Sequence, residues 1–137
     1  MIFSVPGIPV AKGRPRFARV GRGVRTFTPE ATTRYEDRVR NAAHMHGVQL
    51  IEGAVRVVIE AVWPTRGQPR KRDPRPAEPK VTKPDSDNVA KAILDSLNGI
   101  AWHDDSQVVE LTVRKRHAAQ GEAACATVQI EPYTPAG

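Results

Sequence analysis

Six of the chain's twelve prolines fall within PTRGQPRKRDPRPAEPKVTKP, residues 64–84, together with seven lysines and arginines. No other feature limits the fold as much. Proline has no amide hydrogen and cannot donate to a helix or a sheet ladder. A run this charged cannot build a core either. The stretch is therefore predicted to be an exposed, mobile loop. The packed part of the molecule has to come from the residues on each side of it.

Those flanks carry regular patterns. MIFSVPGIPV starts as a strand and is stopped by Pro6 and Pro9. Residues 11–29 mix Gly, Pro and Arg with Phe17 and Phe27, and read as a long loop or an irregular hairpin. Thr28-Pro29-Glu30 has the order of a helix start, with Thr28 as the cap, and Gly47 is a suitable stop. Between them Tyr35, Val39, Ala42, Ala43 and His46 form an inner stripe. In GAVRVVIEAVW, residues 53–63, the period of two puts Val55, Val57, Ile59 and Ala61 on one face of a strand. Residues 88–98 read as a second helix: Val89, Ala92, Ile93, Ser96, Leu97 and Ile100 share an arc, and Lys91 and Asp95 point away. SQVVELTVRKRH and EAACATVQIEP are two further strands joined by a turn around Gln120-Gly121. The order β-α-β-α-β-β implies one α/β domain over residues 1–137, with two helices against one mixed sheet.

Charge narrows the partners. The formal net charge is +6. Between Ala11 and Arg25 stand Lys12, Arg14, Arg16, Arg19, Arg22 and Arg25, with no acid. Clustered cations of this kind suit a polyanion, most simply nucleic acid. Lys12, Arg14 and Arg16 in the first basic segment, and Arg70, Lys71 and Arg72 in the second, are the candidate phosphate contacts. A lone cysteine, Cys125, excludes an internal disulfide and fits a reducing compartment. No apolar run is long enough to span a bilayer, and Pro6, Gly7 and Pro9 interrupt any signal-peptide pattern.

Against this background the stretch KPDSDNVAKAILDSLNGIAWHDDSQVVE, residues 83–110, is anomalous. It holds six of the fifteen carboxylates, and after Lys83 its sole cation is Lys91. On an extended backbone Asp85 and Asp87 would point the same way and could reach one ion. Helix capping is the simpler use of an Asp or Asn here, and a polar turn is the simpler use of Asp104-Asp105. Spacing alone leaves open whether the two pairs meet, because a helix separates them. If they do, three or four carboxylates make a hard oxygen site for Mg²⁺ or Mn²⁺, suited to phosphodiester hydrolysis. Lys91, one turn beyond Asp87, would then hold phosphate. Basic flanks would keep a polyanion over this acidic centre.

These residues resemble the signature of the RusA-family Holliday junction resolvases: a basic residue, Asp-x-Asp-Asn, a lysine three residues on, an amphipathic helix, and an aromatic residue followed by Asp-Asp-x-Gln-Val. VPGIPVAKGRPR near the N-terminus is similar to segments of phage-type members. The resemblance implies a homodimeric, Mg²⁺-dependent endonuclease that nicks four-way DNA junctions in recombination and repair, in the cytoplasm of a bacterial or phage-infected cell. It needs no small-molecule cofactor and no membrane. The resemblance makes Asp85, Asp87 and Asp105 the acidic set with Lys91 beside them; Asp104 matches as a further ligand, and His103 is adjacent. Two alternatives stand beside it: a non-catalytic junction- or DNA-binding protein whose aspartates only cap and turn, and a nuclease acting on RNA.

Overall fold

A strand buried on alternate residues forms the spine of the molecule. The computed structural model describes residues 1–13, 16–21, 23–27 and 29–135, with 16–20 and 24–27 described by their backbone. Its elements are β1 (Ile2–Pro6), β2 (Arg16–Val20), β3 (Gly23–Phe27), α1 (Glu30–His46), β4 (Val55–Trp63), β5 (Glu78–Pro79), α2 (Ser86–Ser96), a short 3-10 turn at Asp105–Gln107, β6 (Val108–His117) and β7 (Cys125–Pro132). In β4, Val55, Val57, Ile59 and Ala61 are fully buried, the face predicted from their period.

Five strands form one sheet in the order β1-β7-β4-β6-β5. Only β4 and β6 run parallel, and the other pairs are antiparallel. The chain is a single α/β domain whose mixed sheet carries both helices. Phe3 and Val5 of β1, with Ala126, Val128 and Ile130 of β7, complete the buried face. From α1 come Tyr35, Val39 and Ala43, and from α2 Val89, Ala92 and Ile93. Gly47 ends α1 at φ 78, in the left-handed region that a residue with a Cβ enters at a cost, and its amide bonds the carbonyls of Ala43 and His44.

Several local expectations change. β2 and β3 pair as regular antiparallel strands, from Arg16 opposite Phe27 through to Val20 opposite Gly23. Pro29 occupies the cap position of α1, while Thr28 lies outside the described residues. His46 is exposed, although its ring lies 6.3 Å from that of Phe3. In α2, Ala90 and Leu94 are buried beside the expected arc, since α1 packs along that helix. Asp95 is half-buried and does not face water freely: Lys12 Nζ lies 3.3 Å from it and 3.0 Å from the buried Glu36. Burial works against the Lys12 ammonium, but the hydrogen bonds and charges of Glu36 and Asp95 outweigh it and raise its pKa.

The loop 64–84 is exposed along most of its length, but it is tethered. β5 pairs Glu78 with His117 and Pro79 with Arg116. Thr65 Oγ1 donates to the carbonyl of Ala119, and Lys80 Nζ sits 5.3 Å from the centre of the Trp63 ring. Beyond β5, the outer edge of β6 from Val108 to Arg114 has no strand beside it among the described residues.

Two features can be checked by stability. The buried Tyr35 hydroxyl has no hydrogen-bond partner among the described residues, and burial pushes its pKa up to about 12. Tyr35→Phe keeps the packed ring and removes that polar atom, so urea unfolding should show stability unchanged or raised by up to about 1 kcal/mol. At the β6–β7 turn, Arg116 grips Glu122 through Nη1–Oε1 at 2.6 Å and Nη2–Oε2 at 2.7 Å. That fork, with the Ala119 amide, lowers the Glu122 pKa from 4.5 to about 2. A carboxylate depressed in the folded state stabilises above its unfolded pKa and stops doing so as pH falls through the folded one. The contribution should therefore fade between pH 4.5 and 2, and Glu122→Gln should remove that part of the acid dependence.

Candidate active site

The fold sorts the six carboxylates of residues 83–110 into two groups. Asp95 is paired with Lys12. Glu110 lies 3.3 Å from Arg56 Nε on the open face of the sheet. Asp104 caps the 3-10 turn: its Oδ2 accepts from the Ser106 amide at 3.0 Å, while Gln107 Oε1 accepts from the Asp104 and His103 amides. The Ser106 hydroxyl and amide hold the Asp104 carboxyl below the usual range. Gln107 Nε2 also donates to the carbonyls of Ile51 and Gly53, which fastens the turn to the α1–β4 connection. His103 faces Glu52, with Nε2 2.8 Å from Oε1.

Asp85, Asp87 and Asp105 are the remaining three. Among the described residues none has a side-chain hydrogen bond or an ion pair. Asp85 occupies the cap position of α2 with extended backbone, φ −69 and ψ 149, yet its side chain caps nothing. The helix starts at Ser86, so Asp87 belongs to its first turn and not to the extended segment expected from spacing. Both carboxylates sit at the N-terminal, positive end of the α2 dipole. The capping explanation therefore fails for both at the level of side-chain contacts. Lys91, one turn on, is exposed.

The approach to Asp85 is held from β6. Lys115 Nζ donates to the carbonyls of Thr82 at 2.9 Å and Pro84 at 2.6 Å. Lys83, Pro84, Asp85 and Asn88 line an open depression of about 690 Å³. Asn88 accepts through its carbonyl from the Lys12 amide, so the N-terminal segment reaches the same place. Sequence reading missed Lys115, Glu36 and the anchoring role of Gln107; only Gln107 had a signal, its place in the Asp-Asp-x-Gln motif.

The Asp85–Asp87 pair and Asp105 do not meet within one chain. Asp85 lies near Lys115, toward the end of β6, whereas Asp105 immediately precedes its start. From Val108 to Lys115 a strand covers about 23 Å, and α2, which lies between the two groups in sequence, is about 16 Å long. Metal ligands need to approach within about 2.6 Å of a shared ion. Accordingly, no three His, Cys, Asp or Glu side chains form a metal-holding group among the described residues.

Of the predicted phosphate contacts, Arg70, Lys71 and Arg72 are exposed. Lys12 is engaged between Glu36 and Asp95. Arg14 and the Arg16 side chain lie outside the described residues. No helix of the described residues is long and apolar enough to cross a membrane.

Comparison with known proteins agrees with the motif. The family model for endodeoxyribonuclease RusA matches residues 6–131. The chain belongs to the RusA family. Its match takes in Asp85, Asp87, Asp104, Asp105, Lys91 and strands β4 to β6. This is a family of Holliday junction-resolving endodeoxyribonucleases. The chain is also 33% identical over 125 residues to uncharacterized protein YqaN of Bacillus subtilis (strain 168), covering 86% of this chain and 88% of the relative.

The division of labour between neighbouring aspartates is testable by unfolding. Asp104→Ala removes a cap from the turn and should lower the urea midpoint. Asp105→Asn, which breaks no side-chain hydrogen bond or ion pair among the described residues, should leave it unchanged.

Proposed function

We propose that this RusA-family chain is a Mg²⁺-dependent endonuclease that resolves four-way DNA junctions by paired nicks, and that its working form is a homodimer. The observation that carries this reading is the sorting of the acids. The fold employs Asp95, Glu110 and Asp104 in its own contacts and, among the described residues, leaves Asp85, Asp87 and Asp105 without a side-chain partner, with Lys91 on the same helix as Asp87. Free carboxylates in a protein of charge +6 are poor DNA contacts but suitable ligands for a hard divalent cation.

Their separation supports a site shared between two copies. Among the described residues the outer edge of β6 is uncovered from Val108 to Arg114, and the strand carries the exposed Val109 (56%) and Leu111 (42%). Such an edge is a template for a second strand. Antiparallel pairing of two β6 strands about a two-fold axis would set the start of one beside the end of the other. Asp105 would then approach the partner's Asp85 and the partner's Asp87, and the reverse contact would form the second site. Each site would hold Mg²⁺ (or Mn²⁺) through these three carboxylates, with Asp104 shaping the turn behind Asp105. The cation would polarise the scissile phosphate and lower the pKa of water. Lys91 would bind a non-bridging phosphate oxygen, and Arg70, Lys71, Arg72, Arg14 and Arg16 would hold the flanking backbone.

Asp85→Asn, Asp87→Asn and Asp105→Asn should each abolish nicking of a synthetic four-way junction while binding persists, because each removes a ligand charge and reduces repulsion of phosphate. Mixing decides whether the site is shared. Asp87→Asn combined with Asp105→Asn should recover single nicks, because a mixed dimer regains one intact site; with sites inside each chain, the mixture stays inactive. Cleavage of RNA in preference to the junction, or undiminished nicking in EDTA, would overturn the reading.

A further inference from the structure

One glutamine organises the tip of the basic loop. Gln120, in the turn between β6 and β7, is bonded through its side-chain amide as a neighbouring peptide would be. Its Oε1 accepts from the backbone amides of Arg70 at 3.0 Å and Arg75 at 3.1 Å, and its Nε2 donates to the Arg70 carbonyl at 2.9 Å. The Gln120 backbone amide adds a bond to the Arg75 carbonyl at 2.9 Å. These bonds close the segment from Arg70 to Arg75 into a ring.

The ring is braced on its inner side. Arg75 Nε donates to the carbonyl of Gln68, and its guanidinium lies so close to Gly67 that a Cβ there would come within 2.7 Å of Cζ. The turn that carries Gln120 is itself held by Arg116 and Glu122. Asp73, within the ring, adopts φ 53, a region that aspartate tolerates better than most residues. Arg70, Lys71 and Arg72 are exposed on the ring, and among the described residues none of them pairs with a carboxylate. The loop's ion pair, Arg66 with Glu78, lies outside it. Gln120 and the Asp85 approach both lie toward the end of β6 that His117 closes.

We propose that Gln120 is a positioning residue: it holds Arg70, Lys71 and Arg72 in a preformed turn that takes the phosphate backbone of a DNA duplex arm near the Asp85–Asp87 end of the sheet. This deepens the DNA-cleaving reading above and rests on it for the nature of the polyanion. A six-residue loop without the lock would have to be ordered on binding, and that cost would weaken the complex. With the lock, the cations are placed before DNA arrives.

The test separates placement from charge. Gln120→Ala, and Gln120→Met as a variant of similar length, should weaken binding to linear duplex and to a four-way junction by about tenfold. The slope of log K against log salt should stay at its wild-type value, because every cation is still present. Replacing Arg70, Lys71 and Arg72 together with Ala should instead lower that slope by roughly 0.9 for each phosphate no longer neutralised. Turnover at saturating junction should be unchanged in both glutamine variants. In DNA-free protein, the Arg70 and Arg75 amides should exchange slowly with solvent in the wild type and rapidly in the variants. Fast exchange in the wild type, or variants with freed amides and wild-type affinity, would overturn the proposal. If binding and exchange behave as described while no DNA is cut, the nuclease reading fails and the positioning role stands.

Discussion

The parallel pairing of β4 with β6 governs the rest of the structure. Val55 stands opposite Val108 and Trp63 opposite His117, so both strands run the same way. Parallel neighbours cannot be joined by a tight turn, and the chain has to travel back along the sheet before β6 begins. The basic loop and α2 make that return. Whatever lies before α2 is consequently delivered to one end of the sheet, and whatever lies just after it to the other. Asp85 and Asp87 go to the first end and Asp105 to the second. The same sheet leaves β6 near the margin, with a two-residue strand beyond it among the described residues. An acidic set divided along the sheet and an uncovered strand between its halves are two results of one topological constraint.

Electrostatics then decides which acids stay available. Lys12 draws Asp95 and Glu36 into a half-buried group that fastens the N-terminal segment to both helices. Arg56 engages Glu110 and Glu131 on the open face, and Arg116 engages Glu60 and Glu122 nearby. Each pairing satisfies a carboxylate locally. The acids that remain stand at element ends, where backbone direction changes, and among the described residues none of them is in an ion pair.

Much of the architecture was legible in advance because it rests on period and punctuation. The alternation of Val55, Val57, Ile59 and Ala61 placed a strand face, and Gly47 marked the end of α1. The errors share one cause: local patterns do not reveal which neighbour will cover a residue. Asp95 looked solvated until Lys12 was found over it. Residues 64–84 looked mobile because proline removes donors, yet the remaining amides and carbonyls bond the β6–β7 turn through Gln120. Asp85 and Asp87 looked extended, whereas helix geometry begins between them at Ser86.

The sequence alone determined the order of elements, the excess of positive charge, the family motif, and the residue types able to bind a cation or a phosphate. All of these follow from composition and from intervals of a few residues. Only the tertiary structure decided that Asp104 closes a turn while Asp105 has no side-chain partner among the described residues, that Lys12 is taken by two acids, and that Asp85 and Asp105 stand at opposite ends of a sheet. The reason is physical: charge pairing, capping and separation depend on which distant segments pack together, and long-range strand pairing sets that arrangement.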